Sequence, residues 1–132
     1  MSFKDVTFSY PNEEEAVLKN IDFSCHKGQK IAVIGSTGSG KSTLVKLMNR
    51  FYDVSRGSIE INGVDIRKYD LESLRSQIGY VAQKAHMFKG SIQSNICFGK
   101  PEASVEEMVH AATVAQASDF ISTREHGYED EI

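Results

Sequence analysis

Eight consecutive residues, placed between an apolar run and an amphipathic segment, carry the clearest chemistry in this sequence. They match the pattern G-x-x-x-x-G-K-[ST] at Gly35, Ser36, Thr37, Gly38, Ser39, Gly40, Lys41 and Ser42. Glycines allow backbone N–H groups to turn toward an anion, and a helix that starts at the loop adds the positive end of its dipole. The pattern therefore predicts a loop that binds the phosphates of a nucleotide.

Three side chains at the end of this loop have predicted roles. Lys41 places a point charge on the β- and γ-phosphates, and the Ser42 hydroxyl is a hard oxygen ligand for Mg²⁺. Thr43 offers its N–H group and hydroxyl to the α-phosphate. The alternative is a flexible glycine turn without a ligand, but the apolar run before the loop and the helical pattern after it favour nucleotide binding.

The elements around the loop follow from hydrophobic periodicity and indicate an α/β fold. Alternation over residues 3–10 and again over 17–24 predicts two strands that pair in the antiparallel sense. The apolar run at 31–34 predicts a central parallel strand that is buried on both faces. Residues 41–52 carry apolar side chains three and four positions apart, which predicts a helix directly after the loop.

The second half of the chain contains capping and turn signals. Residues 57–62 alternate and end at Asn-Gly, which predicts a strand and a turn, and residues 78–81 form another candidate strand. Asp70 is a predicted cap of a short helix that ends near residue 75. Ser104 and Glu107 have the spacing of a capping box, and the predicted helix places on one face Val105, Met108, Val109, Ala112 and Ala115.

Composition narrows the function further. The chain has 132 residues, which is the size of one domain, and its net charge of −3 argues against nucleic acid as a main ligand. No apolar run reaches the roughly 18 residues that cross a bilayer. Cys25 and Cys97 lack the spacing of a zinc site, which favours two buried, reduced thiols over a disulfide or a metal. The four histidines are interpreted as surface or structural residues.

Several stretches together resemble the nucleotide-binding domain of ABC transporters. They are Val-Thr-Phe-Ser-Tyr-Pro at 6–11, residues 58–66 after the loop, and Ile-Gly-Tyr-Val-Ala-Gln at 78–83, and the likeness covers almost the whole chain. Residues 87–96 resemble the segment after the Q-loop in exporters of the multidrug and lipid type. The resemblance implies a P-loop NTPase fold of the ABC type, with an antiparallel β subdomain and an incomplete parallel RecA-like core, and it implies ATP and Mg²⁺ as ligands.

The resemblance also assigns roles to individual residues. Tyr10 is similar to the A-loop aromatic residue that stacks on adenine, although a tyrosine packed beside a strand is an alternative interpretation. Gln83 is similar to the Q-loop glutamine, which reaches Mg²⁺ or the attacking water, so Lys41 and Gln83 are the candidate catalytic residues. Met87 and Phe88 are expected to face coupling helices of transmembrane domains.

The sequence lacks other motifs that the resemblance leads us to expect. It has no Leu-Ser-Gly-Gly-Gln signature and no apolar strand ending in Asp-Glu after Gln83. Residues 1–132 are therefore expected to be the N-terminal part of such a domain, which binds MgATP without hydrolysing it. Expected partners are transmembrane domains and a second nucleotide-binding domain, at the cytoplasmic face of a membrane. The alternatives are another P-loop enzyme such as a small-molecule kinase, an ABC-class ATPase of DNA repair or chromosome maintenance, and a non-catalytic nucleotide-sensing module.

Overall fold

Four strands form one sheet with the order β2-β1-β3-β4. β1 spans Ser2–Phe8, β2 spans Leu18–Ser24, β3 spans Arg56–Ile61 and β4 spans Val64–Asp65. All three pairings in this sheet are antiparallel, which confirms the predicted pairing of the first two strands and the turn after β3. The β3–β4 turn has positive φ at both Asn62 and Gly63, as a two-residue hairpin of the right-handed sheet requires.

The computed structural model describes residues 1–84 and 86–132. The chain divides into two compact units, Met1–Tyr80 and Val81–Ile132. The first unit contains the sheet, helix α1 (Lys41–Met48), a 3₁₀ turn at Ile66–Lys68 and helix α2 (Leu71–Arg75). Its core is an apolar cluster from the sheet and both helices that comprises Phe3, Val6, Phe8, Leu18, Leu44, Leu47, Ile59, Ile66 and Leu74.

A bulge in β1 explains why its apolar residues do not alternate strictly. The register shifts between Phe3 and Val6 against β2 and between Lys4 and Thr7 against β3, and Asp5, which lies within both intervals, has a left-handed backbone with φ of 48°. Asn20 donates to the Asp5 carboxylate at 2.9 Å, and the carboxylate of Asp22 accepts from the Asp5 backbone N–H at 3.1 Å. The extra residue lets Phe3 and Val6 both face the core.

Helix α1 begins where it was predicted but ends four residues earlier. Arg50 adopts a left-handed backbone with φ of 50°. Its N–H donates to the Leu47 carbonyl at 3.0 Å, and the Phe51 N–H donates to the Lys46 carbonyl at 3.0 Å, which is the Schellman arrangement. The Arg50 guanidinium also donates to the Tyr69 carbonyl. These contacts hold an arginine in the left-handed conformation that ends the helix, where glycine is the more usual residue.

The predicted strands at residues 31–34 and 78–81 are wrong. Within the described ranges 1–84 and 86–132, neither segment pairs with another strand, and Ile34 and Val81 are each 93% exposed. A strand exists only where a neighbour supplies hydrogen-bond partners, and an apolar run does not supply them by itself. Ile78 nevertheless packs against the core of the first unit.

The described residues of the second unit form three short helices and two 3₁₀ turns. Helix α3 spans Ile92–Ile96, α4 spans Val105–Val114 and α5 spans Ser118–Ser122; the 3₁₀ turns are Cys97–Gly99 and Gly127–Glu129. The unit's own core contains Ile92, Ala112 and Ile121, with Ile96, Ala117 and Tyr128 packed against it. No helix among the residues described is long and apolar enough to span a bilayer.

The capping predictions for α2 and α4 are confirmed. Asp70 accepts from the N–H groups of Glu72 and Ser73, and Ser104 and Glu107 form the complete capping box of α4. The buried face of α4 is narrower than predicted, because Met108 and Ala112 are buried whereas Val105 and Val109 are exposed. Cys25 and Cys97 are free thiols, as predicted, but both are half-buried rather than buried.

An ion pair beside the β3–β4 hairpin gives a pH-dependent prediction. The Asp65 carboxylate accepts from the Arg67 guanidinium at 2.6 Å and caps the 3₁₀ turn through the Arg67 N–H at 2.9 Å. The hydrogen bond from the Arg67 side chain holds the pKa of Asp65 below its ordinary value of 3.8. Ionised Asp65 therefore stabilises the fold above about pH 4, and this contribution is lost as pH falls through the folded-state pKa.

Asp65→Asn is accordingly expected to lower the urea midpoint of unfolding near neutral pH. The difference from the wild type should shrink as pH is lowered from about 5 to about 2, because the wild-type carboxyl becomes neutral over this range. Urea titrations followed by circular dichroism at several pH values measure both effects. A difference that stays constant with pH would contradict the assigned ion pair.

Candidate nucleotide-binding site

The predicted phosphate loop is an exposed segment that leads directly into helix α1. Gly38 and Gly40 have left-handed backbones with φ of 82° and 87°. Gly40 is the N-cap of α1, and a Cβ atom there would lie 2.7 Å from a methyl group of Leu18. These two glycines therefore give the loop a backbone path that other residues adopt only with strain.

The first turn of α1 presents backbone donors next to the loop. The Leu44 N–H makes the first helical bond, to the Gly40 carbonyl at 2.9 Å, so the N–H groups of Lys41, Ser42 and Thr43 precede it. In the described part of the chain, no side chain caps this end of the helix and no acidic residue lies in its first turn. Unpaired N–H groups at the positive end of a helix dipole favour an anion.

The Lys41 side chain folds back over the start of the loop. Its ammonium nitrogen donates to the carbonyl oxygens of Gly35 at 2.9 Å and Ser36 at 2.6 Å, and lies 3.3 Å from Ser39 Oγ. Gly35 itself approaches Ser39 closely, since a Cβ at Gly35 would lie 2.5 Å from Ser39 Oγ. One positive charge is thus held at the centre of the loop by neutral acceptors that a phosphate oxygen can replace.

The hydroxyl of Ser42, next to Lys41, is a suitable ligand for a hard cation. Ser42 is exposed on the first turn of α1, and its hydroxyl is the kind of oxygen that Mg²⁺ accepts together with water and phosphate oxygens. No group of three or more His, Cys, Asp or Glu side chains gathers into a metal site among the residues that the structure describes. Ser42 therefore fits a Mg²⁺ ion that takes most of its ligands from a nucleotide and from solvent.

Tyr10 lies just beyond β1, and its side chain is held from several directions. Its hydroxyl and the Thr43 hydroxyl are 3.0 Å apart. Its ring packs edge-on against Phe8, with centroids 5.0 Å apart, and against Tyr52, with centroids 5.2 Å apart. The Lys46 ammonium lies 5.6 Å from the ring centroid. The sequence interpretation missed Tyr52 and Lys46, although Lys46 follows Lys41 on the same helix.

Gln83 lies in the second unit, where its side chain is exposed. Of the predicted site residues, the structure brings together Lys41 with the loop, and Tyr10 with Thr43. Gln83 is assigned to the site by resemblance alone.

An apolar surface lies close to Gln83 along the chain, within the second unit. Phe88 and Phe98 stack with centroids 4.3 Å apart, and both are exposed. The side-chain amide of Asn95 clamps the Phe88 backbone, with hydrogen bonds of 2.8 Å and 2.9 Å. These aromatic residues line an open cavity of about 510 Å³ together with Met87 and Phe120.

Comparison with known proteins identifies the family. The sequence profile of the family described as "ABC transporter" matches residues 18–128. The chain belongs to the ABC transporter family. It has the P-loop NTPase fold of an ABC ATPase domain, and this domain is of the exporter type, as the resemblance implied.

Individual relatives of this ABC domain are longer proteins. The whole chain is 42% identical over 132 residues to the putative multidrug export ATP-binding/permease protein YgaD of Bacillus subtilis, and 43% identical over 133 residues to the ATP-dependent lipid A-core flippase of Pasteurella multocida. It covers 23% of the length of each. The structure of a bacterial Atm1-family ABC exporter with ATP bound matches with a TM-score of 0.93 and 37% identity, over 99% of this chain and 23% of that one.

Proposed function

We propose that this chain is the ATP-binding part of a nucleotide-binding domain that couples ATP binding and hydrolysis to export of a substrate across a membrane. The observation that carries the proposal is the loop before α1, where the Lys41 ammonium and three first-turn N–H groups gather around left-handed glycines. The structure of the Atm1-family exporter that this chain resembles has ATP bound. ATP and Mg²⁺ are the proposed ligands.

In the proposed complex, the chain holds the nucleotide from the phosphates to the base. Backbone N–H groups of the loop and of α1 donate to phosphate oxygens, and Lys41 exchanges its carbonyl acceptors for β- and γ-phosphate oxygens. Ser42 holds Mg²⁺, which neutralises charge on the phosphates when it is bound. Thr43 donates to the α-phosphate, and the Tyr10 ring stacks on adenine.

Gln83 and the apolar surface after it are the proposed link to the membrane. The exposed cavity formed by Phe88 and its neighbours, which the Asn95 clamp holds in place, suits an apolar helix end from transmembrane domains. We further propose that Gln83 reaches Mg²⁺ or the attacking water, that a second nucleotide-binding domain completes the site, and that the assembly works at the cytoplasmic face of a membrane. The relatives whose names include permease and flippase support this assignment.

These 132 residues alone are expected to bind MgATP without turning it over. The sequence contains no apolar strand ending in Asp-Glu after Gln83, and hydrolysis needs a carboxylate that positions and deprotonates water. Isothermal titration calorimetry with MgATP should give saturable binding with one site per chain. A phosphate-release assay on the same sample should give the rate of a protein-free control.

The two halves of this proposal are tested separately. Absence of MgATP binding by a chain that melts cooperatively would contradict the nucleotide site. Phosphate release above that of a Lys41→Ala control would contradict the expected lack of turnover while leaving the binding site in place.

A further inference from the structure

We propose that the hydroxyl pair of Tyr10 and Thr43 is a positioning device that connects the aromatic side of the site to its phosphate loop. Tyr10 lies just after β1 and Thr43 in the first turn of α1, 33 residues apart in sequence, and their hydroxyl oxygens are 3.0 Å apart. This inference rests on the proposed function, because it assigns the pair a role in binding the phosphates of the nucleotide.

The burial of Thr43 makes this contact significant. Thr43 is only 6% exposed, and Tyr10 is the hydrogen-bond partner of its hydroxyl within the described residues. A buried hydroxyl without a partner is unfavourable, so removal of the Tyr10 hydroxyl leaves Thr43 to find another acceptor or donor. Without that partner Thr43 can adopt a different rotamer, which changes the position of its hydroxyl.

The chemistry of the ligand fixes the direction of the hydrogen bond. A threonine hydroxyl has one proton and two lone pairs, whereas an ionised phosphate oxygen only accepts. When Thr43 donates its proton to a phosphate oxygen, it can still accept from Tyr10. The Tyr10 hydroxyl then supplies its own proton to Thr43, and the two hydroxyls form a chain that ends on the phosphate.

The ring contacts explain why Tyr10 can act in this way. Its ring is edge-on to Phe8 at 79° and to Tyr52 at 90°, so the ring plane is set by aromatic packing. The hydroxyl bond to Thr43 then fixes the far end of the same ring. The aromatic surface and the first turn of α1 are thereby held at a fixed distance from each other. This arrangement suits a ligand that has a base at one end and phosphates at the other.

Tyr10→Phe removes the hydroxyl and keeps the aromatic ring. Magnesium tripolyphosphate is a ligand that has the phosphates of the nucleotide but no base. We expect Tyr10→Phe to weaken binding of magnesium tripolyphosphate about three- to tenfold, the effect of one hydrogen bond, although this ligand has no base to stack. Tyr80→Phe is the control, because it removes a tyrosine hydroxyl from an exposed ring of the same unit, and it should leave the affinity within about twofold. Calorimetric titration measures both.

A double-variant cycle tests whether Tyr10 acts through Thr43. In a Thr43→Val background, Tyr10→Phe should weaken MgATP binding no further, whereas in a Thr43→Ser background, which keeps the hydroxyl, its effect should persist. Melting curves without ligand identify variants that fail to fold. If Thr43→Val is one of them, the comparison of Tyr10→Phe with Tyr80→Phe still tests the proposal. Equal effects of Tyr10→Phe in all backgrounds, or none on tripolyphosphate, would overturn the positioning role alone. A folded wild-type chain that does not bind MgATP would overturn the proposed function as well.

Discussion

Lys41→Ala is expected to weaken MgATP binding by about 10- to 100-fold while the chain keeps its fold. The Lys41 ammonium lies within 3 Å of two loop carbonyls, which phosphate oxygens would replace in the proposed complex. A hydrogen bond to a charged group contributes about 1.5–3 kcal/mol, and each 1.4 kcal/mol corresponds to a factor of ten in affinity. The side chain lies outside the apolar core, so its loss leaves the packing of α1 intact. Calorimetric titration of both chains with MgATP measures the change.

Lys19→Ala is the matched control for this prediction. Lys19 is an exposed lysine on β2 and belongs to the same unit, so its removal changes net charge by the same amount. If nonspecific electrostatic attraction held the nucleotide, both substitutions would weaken binding equally, and the effect would fade in high salt. Equal affinities for Lys41→Ala and the wild type would contradict the assignment of Lys41 to the phosphates.

The glycine-rich turn and the helix start after it could be predicted from the sequence because the signals for them are local. Within residues 38–41 the pattern places a lysine, the start of α1 and two glycines, both of which have left-handed backbones in the structure. The same argument explains the capping predictions. The carboxylate of Asp70 and the hydroxyl of Ser104 accept hydrogen bonds from N–H groups two or three residues away, so the spacing in the sequence identifies their partners.

Features that depend on distant partners could not be predicted in the same way. The apolar run at 31–34 has the composition of a buried strand, but a strand also requires neighbours, and none pairs with it in the described residues. The end of α1 was missed because Arg50, held by distant carbonyls, adopts the backbone that usually marks a glycine. The contact between Tyr10 and Thr43 depends on how β1 packs against α1, which no local pattern encodes.

Helix α3 was also missed, although the sequence contained a signal for it. The Ser91 hydroxyl accepts from the Ser94 N–H, as an N-cap does, and Ile92 and Ile96 are spaced four apart. The helix has only five residues, and its packing against α4 within the second unit supplies the stability that a short helix lacks by itself. The position of this helix also fixes the exposed aromatic surface, because Asn95 on it clamps the Phe88 backbone.

Gly57→Ala is expected to destabilise the first unit by about 3–5 kcal/mol, a large share of the stability of a small domain. Gly57 lies in β3 with φ of 82°, and a Cβ atom there would fall on the backbone carbonyls of Lys4 and Asp5, 2.6 Å from the Asp5 carbonyl carbon. Backbone cannot move aside as a flexible side chain can, so β3 must separate from the bulge of β1. Urea unfolding followed by circular dichroism measures the loss.

Gly63→Ala separates the contribution of the clash from that of backbone strain. Gly63 has nearly the same φ, 79°, but a Cβ atom there meets no described atom within 4 Å. Its replacement by alanine should therefore lower the free energy of unfolding by about 1–2 kcal/mol, which is the cost of the left-handed backbone strain alone. The excess for Gly57→Ala measures how closely β3 approaches the β1 bulge. Equal losses for the two variants would mean that this close approach contributes nothing to the stability of the first unit.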